Sequence, residues 1–463
     1  MMNITMKNAQ KENGTKTKAV SSDFLHDGTL VEMLYNKAKR ETRFLTVKDD
    51  NLNFIESFDL NGWTIQPYSP HSDFLENNVV LFPSEPQEYG SQKDLLEEMR
   101  LFIHKYLAVS ETFEKIATYY VLFTWIYDDF NELPYIRAIG DYGTGKSRFL
   151  KVIGSLCYHA IFTSGATTPA PIFRMLNDFR GTLILDEADF RFSDAKTEIV
   201  KILNNGFATG TPVIRCEQNN KRTFDTRSFN VFSPKIIATR ELYKDSALES
   251  RMITEDMNIN SYRKDIPYNI PDEFEIEAQI IRNKLLMFRV KNKGKVKINP
   301  NLADPDIEPR LNQISIPLLS IIKDNEVLEN LRGEIKNYNE KIKSDRTMSY
   351  EYQIVETIRG LYAQGNISPT MKDISDVFNE SLEEKEKITS RKMGYLVKKC
   401  LNLKTERRRE GIVIVESNRE KIESLEKRYG LDVRDKDVNV VNNVNVEEEI
   451  KEISVDDVTR ALG

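Results

Sequence analysis

The sequence predicts an α/β protein whose main domain is a parallel sheet covered by helices on both faces. Between residues 134 and 240, short β-type runs alternate with stretches of helical periodicity, which is typical of a three-layer, largely parallel sheet. The chain has 463 residues, of which 40% are hydrophobic and 30% are charged. That length and composition suit a globular protein of about three domains.

Composition and charge exclude several classes of protein. The net charge is −6, so no overall basic field indicates a nucleic-acid partner. No apolar run approaches the roughly 18–20 residues that span a bilayer, and the polar N-terminus lacks the apolar core of a secretory signal. The cysteines, Cys157, Cys216 and Cys400, lie far apart and form no CxxC pair. We therefore expect a cytoplasmic protein without a membrane segment or a structural zinc site.

Local composition divides the chain into six segments. Polar residues predict a disordered N-terminus, and short mixed segments between turn clusters predict a small α+β module. A low-complexity stretch of Val and Asn, followed by Glu, predicts a linker and an acidic tail. The predicted segments are a disordered N-terminus (1–22), an α+β module (23–92), the α/β core with its preceding helices (93–270), a helical lid (271–345), a compact C-terminal domain (349–430) and the linker with its tail (431–463).

The strongest signal is a match to the GxxxxGK[ST] pattern at every fixed position of residues 140–147. An apolar strand precedes the match and a helical segment follows it. Glycines let backbone N–H groups turn inward around a phosphate, and the helix N-terminus adds its positive end. We expect Lys146 to reach the β- and γ-phosphates and Ser147 to bind Mg²⁺. The predicted ATP-binding residues are Gly140, Asp141, Tyr142, Gly143, Thr144, Gly145, Lys146 and Ser147.

A second hydrophobic strand, residues 182–185, ends in the adjacent carboxylates Asp186 and Glu187. Side chains at a strand terminus reach the carboxyl edge of the sheet, where ligands bind in open α/β folds. We expect Asp186 to hold the Mg²⁺ together with Ser147, and Glu187 to orient and deprotonate the attacking water. The second carboxylate therefore predicts ATP hydrolysis rather than nucleotide binding alone.

Together with a later strand that ends in Thr239, these motifs resemble the Walker A, Walker B and sensor-1 elements of AAA+ ATPases over residues 110–345. The resemblance implies an α/β P-loop domain with a helical lid. It also implies that Thr239 touches the γ-phosphate and the attacking water, although related helicases usually carry Asn at this position.

The same resemblance implies two catalytic arginines. Residues 247–252 are similar to the arginine-finger segment of replicative AAA+ helicases, so Arg251 would reach the nucleotide of a neighbouring subunit, with Arg240 as the competing candidate. Arg310, at the head of a predicted lid helix, is similar to sensor 2. An arginine that acts in trans implies a ring, and we expect a homo-hexamer. The predicted catalytic residues are Glu187, Thr239, Arg251 and Arg310.

Alternating segments on either side of a basic, Asn-rich tip predict a β-hairpin before the Thr239 strand. This hairpin resembles the pre-sensor-1 hairpin of minichromosome-maintenance and superfamily III helicases. The resemblance implies that Lys221 and Arg222 grip the phosphates of single-stranded DNA in the ring pore. Residues 165–180 leave too little room for the additional minichromosome-maintenance hairpin, and the N-terminal region lacks zinc-binding cysteines. A divergent branch from a virus, plasmid or other mobile element fits better.

Three predicted helices, a basic segment and a strand over residues 349–430 resemble a winged helix, a DNA-binding variant of the helix-turn-helix. Residues 385–428 carry 14 Lys and Arg against 7 Asp and Glu, a local balance of +7, whereas residues 429–463 carry 4 against 9. A solvated helix face or a protein-docking module remains an alternative. The third helix is predicted to bury Met393, Leu396, Val397, Cys400 and Leu401. The predicted DNA contacts are Arg391, Lys392, Lys398, Arg407, Arg408 and Arg409.

These patterns predict a ring-forming AAA+ ATPase that hydrolyses ATP with Mg²⁺ to move on DNA during replication. Single-stranded DNA would occupy the pore, and duplex DNA would bind the winged helix. An origin-binding initiator or helicase loader is the first alternative, and a protein-remodelling ring ATPase is the second. The hairpin favours the helicase, because loaders generally lack that insertion.

Overall fold

The computed structural model describes most of the chain, and the described residues form two compact units, Met1–Asn339 and Glu340–Gly463. The second unit begins at Glu340, within the helix Asn325–Thr347, whereas the sequence places the end of the lid at residue 345. The described ranges are 11–12, 15–186, 194–218, 224–243, 245–258, 263–323, 325–347, 350–380, 382, 387–429 and 431.

The first unit opens with two four-stranded sheets, in the orders β1-β2-β8-β7 and β3-β4-β5-β6. The predicted disorder of residues 1–22 is wrong for β2, which pairs in parallel with β8 from Lys16↔Trp63 to Ala19↔Gln66. A short polar strand gives no signal of its own when its partner lies this far along the chain. The strands are β1 Lys11–Glu12, β2 Thr15–Ala19, β3 Ser22–Phe24, β4 Leu30–Asn36, β5 Glu41–Lys48, β6 Asn51–Ile55, β7 Phe58–Leu60 and β8 Trp63–Gln66.

Side-chain caps mark the start of two helices of the first unit, α2 and α3. Ser91 and Asp94 form a capping box at the start of α2, and Ser110 caps α3. Among the described helices, none combines the length and the apolar character needed to cross a membrane. The helices are α1 Asp73–Glu76, α2 Gln92–Tyr106, α3 Glu111–Thr124, α4 Lys146–Gly154, α5 Pro169–Phe179, α6 Asp194–Asn205, α7 Ser246–Glu249, α8 Glu273–Asn292, α9 Pro309–Ser320 and α10 Asn325–Thr347.

A five-stranded parallel sheet forms the centre of this unit, which confirms the predicted α/β class. Its order is β10-β11-β14-β9-β15, so β14 lies between β9 and β11. The strands β12 and β13 form a separate antiparallel hairpin. The strands are β9 Tyr135–Ile139, β10 Ile161–Thr163, β11 Leu183–Leu185, β12 Val213–Gln218, β13 Phe224–Phe229, β14 Lys235–Thr239 and β15 Met252–Asp256.

A buried charge network joins one of the N-terminal sheets, β3-β4-β5-β6, to the rest of the first unit. Glu32 on β4 is fully buried and accepts hydrogen bonds from Arg289 Nε on α8 at 2.6 Å and from Tyr158 Oη at 2.9 Å. Arg289 also donates to Asp128 Oδ1 at 2.8 Å. Burial raises the pKa of Glu32, and the nearby guanidinium opposes that shift. Each of these buried charges needs its partner from another part of the chain, because an unpaired buried charge is costly. This N-terminal sheet is therefore part of the first unit rather than a separate domain.

We expect Arg289→Met to lower the free energy of unfolding of the first unit by about 3–5 kcal/mol, because it leaves the Glu32 carboxylate buried without its ion pair. Equilibrium urea unfolding measures the change. The double variant Glu32→Met/Arg289→Met should lose clearly less than the sum of the two single variants. An Arg289→Met protein as stable as the wild type would show that the pair makes no net contribution.

The second unit packs three helices against a β-hairpin and a final helix. Met393 and Val397 are fully buried, as predicted, and Leu401 is also buried. Cys400 is exposed, so its predicted place in the core is wrong. A π-helical turn over Leu396–Cys400 inserts one residue into the helical period and rotates Cys400 outward. The elements are α11 Tyr350–Ala363, α12 Met371–Asn379, α13 Ser390–Tyr395, β16 Thr405–Arg408, β17 Gly411–Ile414 and α14 Arg419–Tyr429.

Candidate functional site

Residues 140–147 form the loop between β9 and α4, as the motif predicts. Gly143 and Gly145 have φ angles of 76° and 93°, a region that other residues rarely adopt. Gly145 is the N-cap of α4, and Lys146 is its first residue. The loop therefore runs directly into a helix N-terminus, the arrangement in which backbone N–H groups and the helix dipole bind phosphate.

Hydrogen bonds from both sides hold this phosphate loop. Lys146 Nζ donates to the carbonyl oxygens of Gly140 and Asp141, each at 2.6 Å. The Asp141 backbone N–H donates to Asn258 Oδ1 at 2.9 Å. Asn258 follows β15 and belongs to no recognisable motif, so sequence reasoning missed it. The loop shape depends on this contact as well as on the loop's own glycines.

The strand order brings the second motif to the same edge of the sheet. Thr239 of β14 pairs with Ile139 of β9, and Leu185 of β11 pairs with Ile237 of β14. Asp186 directly follows Leu185, so the three strands end close together at the carboxyl edge. Glu187, the predicted general base, lies outside the described residues.

Ser147 and Asp186 line one cavity of about 510 Å³, together with Thr163 and Thr167. Hydroxyl and carboxylate oxygens are the ligands that Mg²⁺ prefers. In the described part of the chain, no three His, Cys, Asp or Glu residues come together to hold a metal by themselves. Mg²⁺ is usually bound by one or two carboxylates together with substrate phosphates, so Ser147 and Asp186 suit the predicted ion.

A second cavity of about 680 Å³ lies on the β15 side of the phosphate loop. Gly145, Met257 and Ile266 form part of its wall, and Arg148 is fixed beside it by donating to the carbonyl oxygen of Pro267 at 2.6 Å. The volume and the mixture of apolar groups with a few polar ones suit a nucleobase and its sugar. Six of the residues that line this cavity follow β15, where the sequence gives no motif.

Thr239 lies at the predicted place but is enclosed there. Its side chain is 1% exposed, and its hydroxyl oxygen has no hydrogen-bond partner among the described residues. A central strand with neighbours on both sides buries both faces of its residues. The hydroxyl can therefore contact a nucleotide only after the surrounding side chains rearrange.

Arg251 and Arg310 lie together at the opposite edge of the sheet from the phosphate loop. Arg251 precedes β15, whose first residue pairs with the first residue of β9, so the length of β9, about 13 Å, separates this edge from the loop. Arg251 is 8% exposed, donates to Asn204 Oδ1, and lies 3.9 Å over the Phe207 ring. The Arg310 guanidinium is 5.9 Å from the same ring. Neither arginine can reach the loop of its own chain.

The predicted hairpin is present, but its basic tip, with Lys221 and Arg222, lies outside the described residues. The hairpin is anchored to the core through one face, where Arg174 on α5 pairs with Glu217 at 2.5 Å and Arg215 pairs with Glu198 on α6. The opposite face exposes Phe224, with 72% of its surface accessible. The base of the hairpin is therefore fixed to the sheet's helices.

The basic residues predicted to contact DNA are at the surface of the second unit. Three lie on α13 and the π-helical turn, and three lie on β16 and the turn that follows it. Arg408 pairs with Glu406 on the same strand. All six are exposed: Arg391, Lys392, Lys398, Arg407, Arg408 and Arg409.

Comparison with known proteins gives only distant similarities. No protein-family model and no curated protein matches the chain. The NrS-1 C-terminal region in its apo form is 10% identical over 83% of this chain and 96% of that chain, with a TM-score of 0.35. JCV helicase is 14% identical over 60% and 67%, with a TM-score of 0.22. The Aeropyrum pernix ORC1 protein in complex with DNA is 15% identical over 69% and 92%, with a TM-score of 0.21. Similarity at this level does not establish a shared function.

Proposed function

We propose that the chain is a ring-forming AAA+ ATPase that hydrolyses ATP to move along DNA, as a replicative helicase does. One observation carries the proposal: the GxxxxGK[ST] loop follows β9 and leads into α4, with the ends of β14 and β11 beside it. Asp186 and Ser147 line the same cavity. This is the edge at which parallel sheets bind their ligands.

The loop and the two cavities beside it can bind the phosphates, the base with its sugar, and the Mg²⁺ of ATP. The loop N–H groups and Lys146 bind the phosphates, and Lys146 exchanges its two carbonyl partners for phosphate oxygens. The cavity beside Arg148 takes the base and sugar. Mg²⁺, held by Ser147 and Asp186, neutralises the triphosphate charge when it is bound. Glu187 keeps its predicted role as the base that activates water.

The position of Arg251 and Arg310 supports a site completed by a neighbouring subunit. Both guanidinium groups lie at the edge of the sheet far from their own phosphate loop, around Phe207. Subunits arranged head to tail in a ring would bring this edge to the loop of the next subunit. We therefore assign both arginines to the neighbour's nucleotide and the active form to a homo-hexamer.

The DNA contacts are proposed on two surfaces. The hairpin carries Lys221 and Arg222 between strands fixed to α5 and α6, so a movement of the core would move a DNA strand held at the tip. The second unit has the helix order and the β-hairpin of a winged helix, and its exposed basic residues suit duplex DNA.

Steady-state ATP hydrolysis with and without single-stranded DNA, together with unwinding of a forked duplex, tests the function. A helicase should be stimulated by DNA and should unwind, and Lys221→Ala/Arg222→Ala should abolish unwinding while it leaves DNA-independent hydrolysis in place. A loader should hydrolyse slowly and unwind nothing. Hydrolysis that is indifferent to DNA would favour the protein-remodelling alternative.

We expect Arg407→Ala/Arg409→Ala to weaken duplex binding uniformly across sequences. The slope of log affinity against log salt should become shallower by about 0.9 for each phosphate that the variant no longer neutralises. Fluorescence anisotropy at several salt concentrations measures both effects. Arg419→Ala/Lys421→Ala, which removes two exposed basic residues of α14, is the matched control. An equal weakening in both variants would point to net charge rather than to a specific binding surface.

A further inference from the structure

An exposed tyrosine in the phosphate loop contacts the arginine that directly follows the neighbouring strand β14. Tyr142 is 78% exposed, although it lies in the loop that is to bind phosphate. The Arg240 guanidinium lies 3.8 Å from the centroid of the Tyr142 ring and donates a hydrogen bond to its hydroxyl. Stacking and a hydrogen bond together fix the guanidinium over the loop.

The sheet register places Arg240 beside the phosphates rather than at a random surface position. Arg240 follows Thr239, which pairs with Ile139, the last residue before the loop. The two cavities lie on either side of this point, one beside Arg148 and one between Ser147 and Asp186. A nucleotide with its base in the first cavity and its metal in the second has its terminal phosphate near the end of β14.

Arg240 can donate hydrogen bonds to a phosphate at the end of β14, and the buried Thr239 hydroxyl cannot. The Thr239 hydroxyl is enclosed, so Arg240 is the first residue after β14 with an accessible polar group. A guanidinium is planar, can stack on an aromatic face, and can donate two parallel hydrogen bonds to a phosphate. Because the Tyr142 ring already orders the Arg240 side chain, binding phosphate costs less conformational entropy.

We propose that Arg240 binds the terminal phosphate of the nucleotide in its own subunit and that Tyr142 positions it there. This inference rests on the proposed ATPase function. It also gives different roles to the two candidates for the arginine finger. Arg240 acts in cis at the carboxyl edge of the sheet, and Arg251 acts on the neighbouring subunit from the opposite edge.

The direct test compares the affinities for ATP and ADP with the rate of hydrolysis. Arg240→Ala should lower kcat by about 10²–10³-fold and weaken ATP binding while ADP binding stays unchanged, because ADP lacks the terminal phosphate. Tyr142→Phe keeps the stacking ring and should retain most of kcat, whereas Tyr142→Ala should lose part of it and of the preference for ATP. Arg43→Ala is the matched control, because Arg43 stacks on Phe54 at 4.2 Å in an N-terminal sheet. Equal losses of ATP and ADP affinity, or an unchanged kcat, would overturn the proposal.

Mixed rings test whether the contact is made in cis. When Arg240→Ala subunits are mixed with Lys146→Ala subunits, no site contains both side chains, so activity should not recover. Mixing Arg251→Ala with Lys146→Ala should restore complete sites at some interfaces. Recovery in the Arg240 mixture would show that Arg240 acts in trans. Hydrolysis that survives Lys146→Ala alone would instead refute the ATPase function itself.

Discussion

Lys146→Ala should reduce ATP turnover by about 10²–10³-fold, the effect of removing one positioned charge from a site where phosphate charge develops. The ammonium is the only side-chain cation within residues 140–147 and belongs to the first residue of α4, so its loss leaves the loop itself with only backbone N–H groups for the phosphates. Turnover of ATP with Mg²⁺ and DNA measures the change.

The Lys146 side chain also holds the loop through the carbonyls of Gly140 and Asp141, so the variant needs a stability control. Its melting temperature should stay close to that of the wild type, because those carbonyls can be hydrated at the surface. Lys105→Ala removes an exposed lysine paired with Glu277 at 2.7 Å and should leave turnover unchanged. Turnover that survives Lys146→Ala would end the interpretation as an ATPase.

The parts of the site that were predictable from the sequence are those whose residues are close together in the chain. The phosphate loop depends on eight consecutive residues, and Asp186 depends on one apolar strand. The contacts that complete the site join residues far apart: Asn258 reaches Asp141, and Arg240 reaches Tyr142, because β14 and β15 lie on the two sides of β9. Only the strand order shows those pairings.

The sequence alone also could not assign Arg240 and Arg251 to different sites. Motif spacing left Arg240 and Arg251 as alternatives for one role, since both follow β14 within a dozen residues. The register of β9 with β14 and β15 puts them at opposite edges of the sheet. Arg251 and Arg310 share the Phe207 ring although they are far apart in the chain. Such proximity depends on the packing of α9 near the loop that follows α6, for which the sequence carries no local pattern.

Arg251→Ala should have the largest effect of all, a loss of about 10³–10⁵-fold in turnover, if the guanidinium stabilises the charge that develops on the neighbour's γ-phosphate. The structure requires a control for packing, because the side chain is 8% exposed and bonded to Asn204. Asn204→Ala removes that partner and leaves the guanidinium in place. It should lower the melting temperature slightly and turnover by less than tenfold.

Arg251 and Arg310 lie near the same Phe207 ring, so a double variant tests whether both serve one site. If both serve one site on the neighbouring subunit, Arg310→Ala should also lower turnover, and Arg251→Ala/Arg310→Ala should be little worse than Arg251→Ala alone, because groups that act as a unit are not additive. Native mass measurement with ATP shows whether each variant still assembles. A wild-type chain that hydrolyses ATP at full rate as a monomer would remove the trans role of both arginines, since neither can cross its own sheet to the loop.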